Sequence, residues 1–403
     1  MVEGAHRGRA ALPDLVCLSH LRWDFVFQRP QHLMTRFARE RRVFFVEEPM
    51  WGPGPTRLEV RQSKEGVWVA TPHLVVEGAT EVTPNAPPGA GLDDAAWVRL
   101  QRRMLDELWS TQRISAPILW YYTPMALPFS RHLPSPAVVY DCMDALSQFK
   151  GAPPTLLRNE AELLRRADVV FTGGVSLYEA MRARHSNIYA FPSSVDVGHF
   201  ARARGTRSDP ADQSLIPHPR LGFFGVIDER LNLEMIAGVA RSRPDWQLVL
   251  VGPVVKITPE SLPRGSNIHY LGGKKYDELP DYLGGWDVAL MPFALNESTR
   301  FISPTKTPEY LAAGKPVVST SIRDVVRPYR DKGLVKIADT PEAFVQAVEE
   351  SLALDRAAWL PRVDAHLAHT SWDETWRGMK GQIDAAMREH PGRQSAELEA
   401  ARA

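Results

Sequence analysis

Cysteine is nearly missing from this chain: 403 residues hold two, Cys17 and Cys142. Two thiols cannot build the disulfide framework on which small secreted domains rely, so a reduced, cytoplasmic setting is expected. Long apolar runs are missing as well. No stretch approaches the roughly 20 apolar residues of a bilayer-spanning helix, so any membrane contact is expected to be peripheral. The opening segment Met1–Leu12 is small and basic without an apolar centre, unlike a secretory signal. Neither sign of charge is in excess. Lys and Arg total 48, as do Asp and Glu, so nothing in bulk draws the protein to nucleic acid. One local cluster, Arg36, Arg39, Arg41 and Arg42, reads as a solvated helix face or, more sharply, as a docking surface for anionic lipid.

What is present is an alternation of short apolar runs with amphipathic stretches, over a length that suits two α/β domains. Leu15–Ser19 reads as a buried strand, Gln31–Glu40 as a helix and Val43–Val46 as a second strand, which together make a parallel βαβ unit. Ligands of such sheets bind beyond the C-terminal strand ends, which makes His20, Asp24 and Arg29 candidate site residues. Glu59–Glu77 resembles a hairpin and Thr83–Gly91 a Pro- and Gly-rich loop. Further strands are expected at Ile118–Tyr122, Ala137–Tyr140, Val169–Thr172 and Ile188–Phe191. Ala201–Pro219, charged and rich in Pro and Gly, reads as a linker. A second α/β run follows, with strands at Leu221–Val226, Gln247–Val251, Ile268–Leu271, Val288–Pro292, Val317–Thr320 and Leu334–Ile337. Ser371–Met387 is an amphipathic helix, followed by a polar tail. The expected division is 1–200, 201–370 and a crossing helix with tail over 371–403.

The stretch Ser303–Val318 carries the most chemistry. Pro308 suits a first helical turn, Gly314 a helix stop, and Lys315-Pro316 leads into a strand. A helix N-terminus with the Ser303 hydroxyl and the Lys306 ammonium at its mouth suits phosphate, while Glu309 can hold hydroxyls. Phosphate plus diol points to a nucleotide or nucleotide sugar; a capped αβ unit with a solvated lysine is the plainer alternative.

The same stretch resembles the donor-binding signature of glycosyltransferase family 4 and its relatives, in which two Glu residues eight apart precede a small-residue run and Gly-x-Pro-Val-Val. Glu309 and Gly314-Lys315-Pro316-Val317-Val318 match its later half; Phe301 stands where the earlier Glu would be. The form Ser-Pro-x-Lys before Glu309 is similar to bacterial polysaccharide transferases, among them inverting glucuronosyltransferases and teichuronic acid enzymes. Phe191–Asp196, Phe224–Arg230, Leu250–Pro253 and Ser371-Trp372 resemble further family segments in the family's order.

The resemblance implies a GT-B fold of two Rossmann-like domains facing a cleft, with a C-terminal helix crossing back to the first. It implies a cytoplasmic transferase moving sugar from a nucleotide-diphosphate donor to a sugar, glycolipid or small-molecule acceptor. Inversion is favoured and no metal cofactor is expected, in keeping with the lack of an Asp-x-Asp motif. Donor contacts would be Gly225, Arg230, Lys275, Tyr276, Ser303, Lys306 and Glu309. Asp144 would be the general base, with Asp141, Asp24 and His20 as rivals. Arg29, with Gln31 and His32, would bind an anionic acceptor. Trp23 and Tyr122, with Trp120 and Tyr121, would form a sugar platform, with core packing as the alternative. A sugar-nucleotide 2-epimerase and a non-catalytic sugar-nucleotide-binding subunit are the competing readings.

Overall fold

The computed structural model describes residues 12–75, 80–83, 94–149, 151–205 and 208–389. The segment 1–11, residues 76–79 at the hairpin's end, most of the Pro- and Gly-rich loop, residues 206–207 and the tail from 390 lie outside the described residues.

Two separate sheets carry the fold. The first has nine strands. Eight run in the order Met50–Gly52, Trp68–Val75, Val43–Val46, Leu15–Leu18, Ile118–Tyr121, Val138–Cys142, Val169–Thr172 and Ile188–Ala190. All pair in parallel except Arg57–Gln62, which lies antiparallel to Trp68–Val75 as the expected hairpin. Central strands are buried throughout, as a parallel sheet covered on both faces requires. Alternate residues go to opposite faces. Val16, Leu18, Phe44, Tyr121 and Tyr140 pack with Leu105, Leu108 and Leu163 on one side. Leu15, Cys17, Phe45, Trp120 and Phe171 pack with Leu33, Met34 and Phe37 on the other.

That second face also takes the C-terminal helix, Trp372–Glu389, which crosses back as expected. Met379 and Ile383 join its core, Trp372 stacks on His32 with ring centres 4.4 Å apart, and Arg36 and Arg39 both pair with Asp373. Arg42 pairs with Asp14, and Arg41 is buried. Three of the four arginines are thus held in ion pairs and the buried Arg41 donates to the Pro13 carbonyl at 3.3 Å, an arrangement closer to the solvated, paired helix face than to the alternative of lipid docking.

The second sheet has six parallel strands, in the order Ile268–Tyr270, Gln247–Val251, Arg220–Phe224, Val288–Met291, Val317–Ser319 and Lys336–Ile337. One continuous apolar core surrounds it. The expected linker is not loose where it is described: Gln213 is fully buried, accepting from Trp286 Nε1 at 2.9 Å and donating to the Tyr282 carbonyl at 3.0 Å. A helix at Arg356–Leu367 has no counterpart in the sequence reading, because Pro361 sits inside it.

Candidate functional site

The C-terminal ends of the two sheets meet at a cavity of about 110 Å³. The first domain lines it with Gln28, Met143, Asp144 and Gly173, the crossover segment with Ser193, and the second domain with Val226, Arg230, Ser303 and Lys306. Each position follows from a strand end. Met143 and Asp144 follow Val138–Cys142, Gly173 follows Val169–Thr172, and Val226 and Arg230 follow Arg220–Phe224.

Lys306 opens the helix Lys306–Ala312, so this helix begins two residues before Pro308. Gly314 ends it with φ of 70°. The Lys306 stem lies against Gly225, whose φ is 137°; a Cβ there would stand 2.1 Å from Lys306 Cε. Glu309 is buried beside Lys306. Burial pushes the Glu309 carboxyl up to about 8 against the pull of the ammonium, and burial lowers Lys306.

Arg230 is clamped by Asp228. The carboxylate accepts from Arg230 Nε at 3.0 and 3.1 Å, from Nη2 at 2.7 Å and from the Arg230 amide at 3.0 Å. Asp228 is itself buried. Burial also raises Asp144 above the usual carboxylate range, against Arg230, Arg29 and Lys306, with Asp228 adding to the rise. A carboxylate from one domain thus faces two cations from the other across a small cavity.

Arg29 lines this cavity as well, while other expected site residues lie elsewhere. Asp141 is fully buried in a bidentate pair with Arg29, Oδ2 to Nε at 3.0 Å and Oδ1 to Nη2 at 2.9 Å; Arg29 also donates to the Phe191 carbonyl at 2.6 Å. The pair is an internal strut that ties up Asp141 as a base, whereas Arg29 reaches the cavity wall beside Asp144. Trp23 is buried edge-on to Phe45, and its amide donates to Glu47 at 2.7 Å. Tyr122 is buried beneath Asp141. The sugar platform expected of these two is core, because their strand and loop positions face inward. Asp24 is exposed and paired with Arg61 of the hairpin, outside the cavity. His20 has a buried Nδ1, and burial, together with the nearby Lys256, lowers it to about 4. Lys275 is exposed, its amide bonded to Glu278 at 2.8 Å. Tyr276, expected as a donor contact, stacks on His199 at 4.2 Å and meets Phe27 and His32 of the first domain in an interdomain aromatic cluster.

The sequence reading missed Asp228, Gly173, Gly174 and Asp324. The paired glycines after a strand were a readable signal of close backbone approach. Phe301, at the position of the family's earlier Glu, packs against the first domain's core.

Two α/β domains whose parallel sheets meet at their C-terminal ends, bridged by a returning C-terminal helix, make the GT-B architecture of glycosyltransferases. Residues 218–353 match the family model described as glycosyl transferases group 1. The chain is 25% identical over 305 residues to TuaH of Bacillus subtilis (strain 168), a protein assigned to teichuronic acid biosynthesis as a glycosyltransferase; the match spans 70% of this chain and 74% of TuaH. Its fold is also that of sucrose-phosphate synthase from Thermosynechococcus elongatus (TM-score 0.64, 14% identity, 97% of this chain and 100% of that one). It is likewise that of Anabaena Alr3699/HepE, solved with UDP and glucose (TM-score 0.61, 14% identity, 92% and 99%). No helix among the described residues is long and apolar enough to cross a membrane.

Proposed function

We propose that the protein transfers a sugar from a UDP-sugar to a hydroxyl of a sugar or lipid-linked sugar in envelope polysaccharide synthesis, with inversion and without a metal ion. One observation carries this reading: Asp144 of the first domain lines the same cavity as Arg230, Ser303 and Lys306 of the second. Asp144 takes the proton of the acceptor hydroxyl as its oxygen attacks the anomeric carbon; burial raises its affinity for protons, which favours that transfer. Arg230 and Lys306 take up the charge of the departing diphosphate, aided by the Ser303 hydroxyl. Glu309 holds ribose hydroxyls. Phe301 in place of an acid supports inversion, since no second carboxylate stands there to assist a retaining reaction. The choice of UDP rests on the ligand of the Anabaena neighbour, and that of an envelope acceptor on TuaH.

Calorimetry with UDP, joined to UDP release from a panel of UDP-sugars with lipid-linked acceptors, tests the assignment. Lys306→Ala should weaken UDP at least tenfold. Asp144→Asn should bind UDP as the parent does and lose about 100-fold or more in turnover. Unchanged turnover in Asp144→Asn removes it as the base, and sugar epimerisation of the donor without acceptor replaces transfer with isomerisation.

A further inference from the structure

Helix Val175–Met181 of the first domain begins after Gly174, which has no side chain to cap it. The cap comes from the other domain: Asp324 Oδ1 accepts from the Ser176 amide at 3.0 Å, 148 positions away in sequence. Asp324 is buried. Its neighbours Arg323 and Arg327 pair with Glu179 of the same helix at 2.8 and 2.7 Å. The contact is close-fitting. A Cβ on Gly174 would stand 2.1 Å from Asp324 Oδ2 and 2.8 Å from Ser303 Cβ; one on Gly173 would stand 2.2 Å from the Met143 carbonyl oxygen. An unbroken line of contact therefore runs from Asp324 through Gly174 and Gly173 to Met143, the neighbour of Asp144. Ser303, three positions before Lys306, touches the same Gly174.

We infer that Asp324 is a positioning residue: by capping a first-domain helix from the second domain, it sets the spacing between Asp144 and the cations Arg230 and Lys306. The inference rests on the glycosyl-transfer reading. The cavity at Asp144 is about 110 Å³, below the roughly 300 Å³ at which pockets begin to accommodate drug-sized ligands, and a cavity of about 460 Å³ that shares Ser193, Ser303 and Pro304 with it is lined by Asp324, so a nucleotide sugar seated against Asp144 requires the domains to part at this contact. They must then return to one register before Asp144 can reach an acceptor over the donor. A carboxylate meeting a backbone amide suits that task. Water satisfies both groups when they are apart, so opening is inexpensive, whereas closing demands a defined distance and direction. The exposed pairs of Glu179 with Arg323 and Arg327 guide the approach more than they hold it.

The test uses the full chain with Asp324→Ala and Asp324→Asn. The asparagine keeps a carbonyl oxygen for the Ser176 amide; alanine keeps none. Calorimetry with UDP should give dissociation constants within about twofold of the parent for both, because the second domain's site is intact. UDP release from the UDP-sugar panel should fall at least tenfold in Asp324→Ala and recover in Asp324→Asn. Small-angle scattering should show Asp324→Ala more open than the parent, and Asp324→Asn like it. If Asp324→Ala does not fold, Gly174→Ala replaces it: the added methyl would stand 2.1 Å from Asp324 Oδ2 and should displace the cap and open the molecule in the same way. A parent that binds no UDP overturns the choice of UDP as donor, and scattering then decides the inference alone. A parent that binds UDP, with scattering and turnover unchanged in Asp324→Ala, overturns the inference.

Discussion

Replacing Asp141 with alanine should unfold the first domain before it touches the chemistry. Asp141 and Arg29 are 0% and 2% exposed, joined by two hydrogen bonds of 2.9 and 3.0 Å. Burial and the paired carboxylate act on the same guanidinium, and Phe191 takes only one of its remaining donors. Removing the carboxylate leaves a buried cation with the Phe191 carbonyl and the Met379 sulfur as its remaining partners. Breaking a buried pair from one side costs about 3–5 kcal/mol. For a domain of 150–250 residues each kcal/mol moves the midpoint by about 2–4 °C, so the first-domain transition should fall by roughly 6–20 °C. Calorimetric or circular-dichroism melting would read this directly. Asp144→Ala, three residues on and lining the cavity, should cost less than about 1 kcal/mol of stability, as other substitutions outside the packed core do. Replacing both partners, Arg29→Met with Asp141→Leu, should recover most of the loss, since apolar groups need no partner. An Asp141→Ala protein that melts like the parent yet has lost turnover would refute the strut and return Asp141 to the list of bases.

Two further outcomes bear on the donor side. Gly225→Ala puts a methyl 2.1 Å from Lys306 Cε at a φ of 137°, so the lysine must move; UDP should bind at least tenfold more weakly by calorimetry, and equal affinity would show that the lysine is not held by this contact. UDP affinity should also fall as pH rises. Below about 8 the Glu309 carboxyl is largely protonated; above it the Lys306–Glu309 pair loses one positive charge facing the diphosphate. Binding should weaken by about tenfold between pH 7 and 9, a shift of roughly 1.4 kcal/mol, and Glu309→Gln should flatten the profile.

How far the sequence could be read depended on whether a property was local. Strands such as Leu15–Leu18 and Val288–Met291 are continuous apolar runs and were legible as strands, whereas their order within each sheet, and the short strand Met50–Gly52, were not. The stretch around Lys306 was legible because a helix mouth is a local object. Asp141 and Asp144 were not separable, since what distinguishes them is the partner: Arg29 lies 112 positions before Asp141, and no spacing announces it. Trp23 and Tyr122 looked like a platform because aromatic residues at strand ends serve either role until the facing residues are known. Asp324 was silent for the same reason. Its only notable contact is with a helix in the other domain. The helix with Pro361 inside it went unseen because tertiary packing by Trp359 and Val363 overrides a residue that ordinarily stops a helix.

The returning helix Trp372–Glu389 has a consequence for how the molecule is made. Its residues Trp372, Met379 and Ile383 belong to the core of the first domain, although the whole second domain precedes them in the chain. Domains generally fold as units, N-terminal first, during synthesis. Here the first domain leaves the ribosome with one face of its sheet covered only in part, by Leu33, Met34 and Phe37, and keeps it so until the second domain has been synthesised. A fragment ending near residue 200 carries that exposed portion permanently, and any stable half-molecule must be cut with the final helix attached.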